Sequence, residues 1–349
     1  MIDSMHGALV DLAHVRIDGW APLMLTIAAV VAIVSWIVCR RRRVVGVVAV
    51  AMTIAACVAQ LNANVLGYPT AAAALGHPPA TLPAAGKVIE ADIPGVVSGF
   101  RARPASIYLP PAYSVDTHAP LPVLVLLTGQ PGHVVDWLQG GHLARTMDTY
   151  AAAHDGLAPV VVVADGLGDT EANPMCMDSD LGNAFTYLSV DVPAWAKSHL
   201  QVSEDPHSWA IGGYSYGGTC ALQAAVLAPT VYPTFLDISG EDEPRRGTRA
   251  ESVTAAFGDD SEASEKRFDA VAPLEVMAKR EFPSTAGAFL AGSEDGEFRP
   301  QVLRAYDRAV ASGMDAHYRE LPGGHSMDVW APALEVEVDW LSSRMGLTD

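Results

Sequence analysis

Two kinds of hydrophobic pattern divide the chain. Near the N-terminus the apolar positions are continuous. Residues 19–39, GWAPLMLTIAAVVAIVSWIVC, carry no charge and have about the 20 residues a helix needs to cross a hydrocarbon core. Trp20 and Trp36 lie towards the two ends of this run, as interfacial aromatics do. Arg40, Arg41, Arg42 and Arg43 follow, and a second, shorter apolar run extends from Val44 to about residue 62. The pattern predicts a membrane anchor over 1–67, built as a transmembrane hairpin of helices at about 20–39 and 44–62. The arginines at its turn face the cytoplasm, which places both the N-terminus and the rest of the chain outside. If only the first run spans, the remainder lies in the cytoplasm. A third arrangement treats Ile54-Ala55-Ala56-Cys57 as a lipoprotein cleavage site, but a signal sequence starts the chain and this one begins about 40 residues late. Residues 68–86 are rich in Pro and Ala, carry no charge and read as a linker.

Over 87–349 the pattern changes to short apolar runs alternating with helix-like stretches. Runs at 87–93, 106–109, 122–127, 159–164, 209–212, 234–238, 288–291 and 316–321 predict strands. Their Val, Ile and Leu content suits strands buried on both faces. Helices are predicted at 135–154, 184–200, 217–228, 300–312 and 331–344. This alternation predicts an α/β fold with a doubly wound, mostly parallel sheet, whose ligands sit beyond the carboxyl ends of the strands.

Composition sharpens the division. The chain of 349 residues has a formal net charge of −18 and is 50% hydrophobic. Residues 1–70 carry Arg16 and the four arginines against Asp3, Asp11 and Asp18, a surplus of two positive charges, so 71–349 hold the entire acidic excess. A surface this acidic disfavours nucleic acid as a partner. Four cysteines are too few for a disulfide-built scaffold. No Cys/His spacing points to zinc and no glycine-rich loop to a phosphate, so no metal or cofactor is expected. Asp178, Asp180, Asp259 and Asp260 fit no calcium-loop spacing and read as solvated loop acids.

The chemistry is expected at Ser215. Gly213-Tyr214-Ser215-Tyr216-Gly217 is a G-x-S-x-G motif between a predicted strand and a predicted helix, the setting of a nucleophile elbow. A serine hydroxyl needs a base. Two histidines follow Ser215. His317 falls inside a predicted strand, whereas His325 falls in the glycine-rich loop after it and is the candidate base. The orienting acid is expected after an earlier strand: Asp295 first, Glu294 as its alternative, and Asp237 and Glu241 as weaker options. Backbone N–H groups of Tyr216 and Gln130 are the candidate oxyanion donors, since Pro131 has none to give. His133 reads as a pocket residue. Cys176 and Cys220 fall near the strand ends and are expected to form a disulfide outside the cell. Cys39 and Cys57 read as small apolar residues. Loops 168–183 and 240–268 are expected to frame the entrance. Trp137 and Trp330 are candidates for an acyl pocket or for the core.

The segments LLTGQPG, GYSYGG, AGSEDGE and PGGHSMDVW, with residues 186–195, resemble the esterase D family of α/β-hydrolases over about 85–345. That family includes mycolyltransferases and S-formylglutathione hydrolases. The resemblance implies an α/β-hydrolase fold and a serine hydrolase or acyltransferase using Ser215, Asp295 and His325. The expectation is a membrane-anchored, extracytoplasmic esterase whose partners are the membrane and an acyl ester, a lipid or glycolipid among the choices. The alternatives are an acyltransferase to a sugar or lipid hydroxyl, and a catalytically silent binding protein on the same fold.

Overall fold

The apolar runs of the acidic region become the strands of one sheet. They are β1 (Lys87–Ala91), β2 (Ala105–Leu109), β3 (Val123–Leu127), β4 (Val160–Val163), β7 (Trp209–Tyr214), β8 (Thr234–Ile238), β9 (Ala286–Gly292) and β10 (Asp315–Leu321). A separate two-stranded ribbon pairs β5 (Asp178–Ser179) with β6 (Gly182–Asn183). The computed structural model describes residues 23–24, 26–31, 42–61, 82–115 and 118–348. The chain separates into two units, Met1–Thr81 and Leu82–Asp349.

The sheet order is β1-β2-β4-β3-β7-β8-β9-β10. β2 runs antiparallel to both β1 and β4, and every later pair is parallel. β3, β4, β7, β8 and β9 are buried along their whole length, because helices cover both faces. Helices Val192–His199, Tyr216–Leu227 and Arg299–Ala311 contribute to one apolar cluster, with Ala196, Leu222 and Val302. Helices Leu143–Ala153 and Met327–Arg344 close the other face with Met147, Leu334 and Leu341. The central strands point their carboxyl ends one way, and the loops that leave those ends carry the candidate residues.

Two expectations change. Residues 240–268 are not one long loop. They contain helices Arg249–Phe257 and Glu262–Asp269. Thr248 and Glu251 close a capping box on the first, and the Ser261 hydroxyl accepts from the Ser264 N–H at the start of the second. Such caps satisfy the N–H groups a helix start leaves open. Val253, Ala256 and Phe268 pack with Met175 and Met177, so this insertion has a small core of its own against 168–183.

The second change concerns the N-terminal unit. The first run of the expected hairpin lies mostly outside the described residues, as does most of the linker. Arg42 and Arg43 are not in a turn. They open the helix Arg42–Leu61, in keeping with the good helix propensity of arginine. Among the described residues no helix is long and apolar enough to cross a membrane, and the hairpin gains no support.

Candidate active site

The elbow is built by close approach. Ser215 connects β7 to the helix Tyr216–Leu227 with φ 55° and ψ −123°, a strained backbone for a residue with a Cβ. Its N–H donates to Ile238 O at 2.8 Å, which fixes the turn against β8. A Cβ on Gly213 would lie 2.6 Å from the carbonyl carbon of Gly217 and 2.7 Å from Leu127 O. A Cβ on Gly217 would meet Leu127 O and Thr128 O. Neither position has room for a side chain, which is why the motif needs glycine on both sides of the serine.

The strained turn presents the Ser215 hydroxyl to His325. His325 Nε2 lies 2.9 Å from Ser215 Oγ, and His325 Nδ1 lies 2.9 Å from Asp295 Oδ2. Three loops converge here. Ser215 follows β7, Asp295 follows β9 and His325 follows β10. The last two are stitched together, because Ser293 N–H donates to Leu321 O at 2.8 Å and Glu294 N–H to Gly323 O at 2.9 Å. Asp295 is buried, and its second oxygen accepts the Phe298 N–H at 2.9 Å, which sets the carboxylate plane. Phe298 stacks on the imidazole with ring centres 3.8 Å apart. Trp330 meets it edge-on at 4.9 Å and itself stacks on Tyr214 at 4.2 Å. Neither aromatic partner of the imidazole was singled out for that role in the sequence.

The other candidates are placed as follows. Glu294 is exposed, and Asp295 is the carboxylate on His325. Asp237 is fully buried at the end of β8, where one oxygen accepts the Gly240 N–H at 2.9 Å, and burial pushes its carboxyl up to about 7. Glu241 pairs with Arg245 at 3.5 Å. Its burial, against the opposing pull of Arg245, pushes its carboxyl up to about 7. His317, in β10, bonds Glu337 of the helix Met327–Arg344 at 2.9 Å. His133 Nε2 lies 2.8 Å from Thr170 Oγ1. Trp137 is core: it is fully buried and its indole N–H donates to Leu127 O at 2.9 Å.

Tyr216 is the first residue of its helix, where N–H groups have no partner inside the helix and the dipole favours negative charge. Gln130 approaches from the loop after β3. A Cβ on the adjacent Gly129 would lie 3.3 Å from Ser215 Cβ, so that loop passes directly over the serine. Gln130, Ser215 and Tyr216 line one cleft of about 480 Å³. The rest of its wall is mostly polar, with Glu171 and Asn173 from 168–183, Glu241, Arg245 and Arg246 from the segment after β8, and Glu297 beside the ring of Phe298.

Cys176 and Cys220 are bonded, with Cα atoms 5.4 Å apart. The bridge ties 168–183 to the helix that begins beside Ser215. The Tyr216 hydroxyl reinforces the tie by donating to Gly166 O at 3.0 Å and accepting the Cys176 N–H at 3.2 Å. Two of the acids considered for calcium have hydrogen-bonding roles in their own loops. Asp178 bonds Thr186 N–H and Oγ1, and Asp259 accepts from Ser261 N–H and Ser264 Oγ. Among the described residues no group of three or more metal-binding side chains is assembled. Cys57 is exposed, and Cys39 lies outside the described residues.

Residues 100–341 match the family described as putative esterase. An uncharacterized protein of Corynebacterium glutamicum is 41% identical over 256 residues, covering 72% of this chain. The chain matches only 59% of the length of that curated relative. Among solved structures, a ferulic acid esterase is similar with a TM-score of 0.62 at 16% identity, covering 74% of this chain and 98% of that one. The S-formylglutathione hydrolase of Agrobacterium tumefaciens is similar with a TM-score of 0.60 at 16% identity, covering 76% of this chain and 98% of that one. At such identities the structural likeness shows the fold, that of the α/β-hydrolases.

Proposed function

The chain belongs to the putative esterase family, and from that premise we propose a serine esterase working through Ser215, His325 and Asp295. Membership supports an enzyme, a serine hydrolase or acyltransferase. In the proposed reaction Ser215 Oγ attacks the ester carbonyl carbon while His325 Nε2 takes its proton. Asp295 holds the imidazole in the tautomer whose Nε2 is free to accept, and stabilises the imidazolium that forms. The N–H groups of Tyr216 and Gln130 receive the oxyanion. Collapse breaks the ester C–O bond, and the leaving alcohol takes the proton from His325. Water, deprotonated by His325, then releases the acid and restores the serine. The observation that carries this reading is the unbroken pair of 2.9 Å hydrogen bonds from Ser215 to His325 to Asp295.

An acyltransferase shares every step up to the acyl-enzyme and differs only in its acceptor hydroxyl. The polar cleft beside Ser215 supports hydrolysis of compact esters, because a long acyl chain calls for an apolar lining. Pre-steady-state mixing with p-nitrophenyl acetate tests the proposal. The expected result is a burst of p-nitrophenolate equal to the enzyme concentration, followed by slower turnover. Linear release with no Ser215 adduct in the intact mass would contradict an acyl-enzyme.

We place the catalytic unit outside the cytoplasm, attached to the membrane by the N-terminal unit. Two observations support this. The Cys176–Cys220 bond suits an oxidising compartment. Val47, Val48, Val50 and Ile54 expose apolar side chains on the helix Arg42–Leu61, next to an uncharged run and four arginines. The bond closes a separation of 44 residues, for which chain entropy gives about 4 kcal/mol of stability. The check uses a chain whose Cys39 and Cys57 are replaced by serine. After acid quenching of growing cells and denaturation, Cys176 and Cys220 are expected to resist alkylation until reductant is added. Two free thiols at once would place the unit in a reducing compartment.

A further inference from the structure

Arg245 and Arg246 are neighbours in sequence and both line the cleft beside Ser215, yet their situations are opposite. The Arg245 guanidinium is committed. It lies 3.5 Å from Glu241, 3.4 Å from Asp242 and 3.5 Å from Glu243. Arg246 is exposed, and among the described residues its guanidinium has no carboxylate or carbonyl partner. Its backbone is fixed nonetheless. The Asn173 side-chain amide donates to Arg245 O at 2.9 Å, and the Arg246 N–H donates to Ser252 Oγ at 2.8 Å. Ser252 is buried and its hydroxyl donates to Thr248 O, behind the capping box of the following helix. The peptide that joins Arg245 to Arg246 is thus held at both its carbonyl and its N–H, directly ahead of the one cleft arginine that has no anion to bind.

We propose that Arg246 is a specificity residue for an ester that carries a carboxylate near its scissile bond. A guanidinium presents paired donors that match a carboxylate's two oxygens. The carboxylates of the same wall define the selectivity. Glu241 is engaged by Arg245, while Glu171 and Glu297 are exposed at the rim. The preference therefore rests on contact at Arg246 and not on a general attraction, since the chain as a whole carries −18. A ligand with one negative group within reach of Arg246 gains, and a diffuse polyanion does not.

The proposal rests on the esterase reading above, and its test separates the two. Either the acid or the alcohol half of the ester can carry the carboxylate, so two matched pairs are used. Mono-p-nitrophenyl succinate is compared with p-nitrophenyl butyrate, and 4-acetoxybenzoate with its methyl ester. The readout is the ratio of kcat/KM, charged over neutral, in wild type, R246K, R246Q and R246E. A ratio is independent of the fraction of enzyme that folds. In at least one pair, the ratio is expected to fall about tenfold in R246Q, as for loss of one charged hydrogen-bonded contact, and further in R246E, with partial recovery in R246K. The pair that responds identifies the half that carries the charge. Equal ratios in wild type and R246E for both pairs would overturn the proposal and leave the esterase reading standing. Hydrolysis of the neutral esters that survives Ser215→Ala would instead overturn the esterase reading.

Discussion

Replacing Ser215 with alanine is expected to lower kcat for a simple ester by about 10⁶-fold, the loss found when a triad nucleophile is removed. The size follows from chemistry. Without Oγ there is no acyl-enzyme, and His325 can only activate water across a gap shaped for a serine. His325→Ala is expected to cost about as much, and the double variant scarcely more, because the two act as one unit. This non-additivity is more diagnostic than either loss. Independent losses that multiply would mean that the 2.9 Å contact between Ser215 and His325 has no part in turnover. Fold is expected to survive in Ser215→Ala, since removing the hydroxyl leaves the glycines of the elbow and the Ser215 N–H bond to Ile238 O in place.

The second large effect is at Asp295. Asp295→Asn keeps volume and the acceptor oxygen that binds the Phe298 N–H. It replaces the carboxylate that orients His325 Nδ1 with an amide that donates or accepts weakly. The wrong tautomer is then favoured, and a loss of about 10⁴ in kcat is expected. KM is expected to move little, since Asp295 is buried behind His325 and away from the cleft. Glu294→Gln is the matched comparison. Glu294 is exposed, and its replacement is expected to change kcat by less than about twofold, as surface changes usually do. Equal losses at the two positions would show that a general effect of negative charge, and not orientation of His325, carries the difference.

The site was legible in the sequence because its parts sit where local rules are strict. A strand followed by G-x-S-x-G leaves no room for a Cβ at Gly213 or Gly217, and such crowding writes itself into residue identity. The order of Ser215, Asp295 and His325 along the chain follows the order of strands β7, β9 and β10, of which β7 and β9 are marked by apolar runs and β10, Asp-Ala-His-Tyr-Arg-Glu-Leu, only by the glycine-rich loop that follows it. Choosing Asp295 over Glu294 was a matter of position, and the geometry of Phe298 N–H and His325 Nδ1 separates the two. The cleft wall was harder to read. Arg245, Arg246 and Asn173 come from segments whose charge suggested loops, and only packing of Phe268, Val253 and Met177 shows that 249–269 is a capped helical insertion. Its short helices carry too few apolar positions to announce themselves. At the N-terminus the second helix is found within two residues of its expected bounds, and only its start differs. A four-arginine string reads as a turn between spans, yet arginine is also a good helix former, and Arg42 and Arg43 begin a helix.

The most direct test of the central claim is labelling by a fluorophosphonate probe, applied to membranes and soluble fractions of cells producing wild type or Ser215→Ala. The probe phosphonylates a serine only where a base has activated it. Labelling of wild type alone, with the adduct mapped to Ser215, is the predicted result. Equal labelling of both proteins, or no labelling of folded wild type, would contradict an activated serine at the elbow, and the latter would favour a silent binding protein on the same fold.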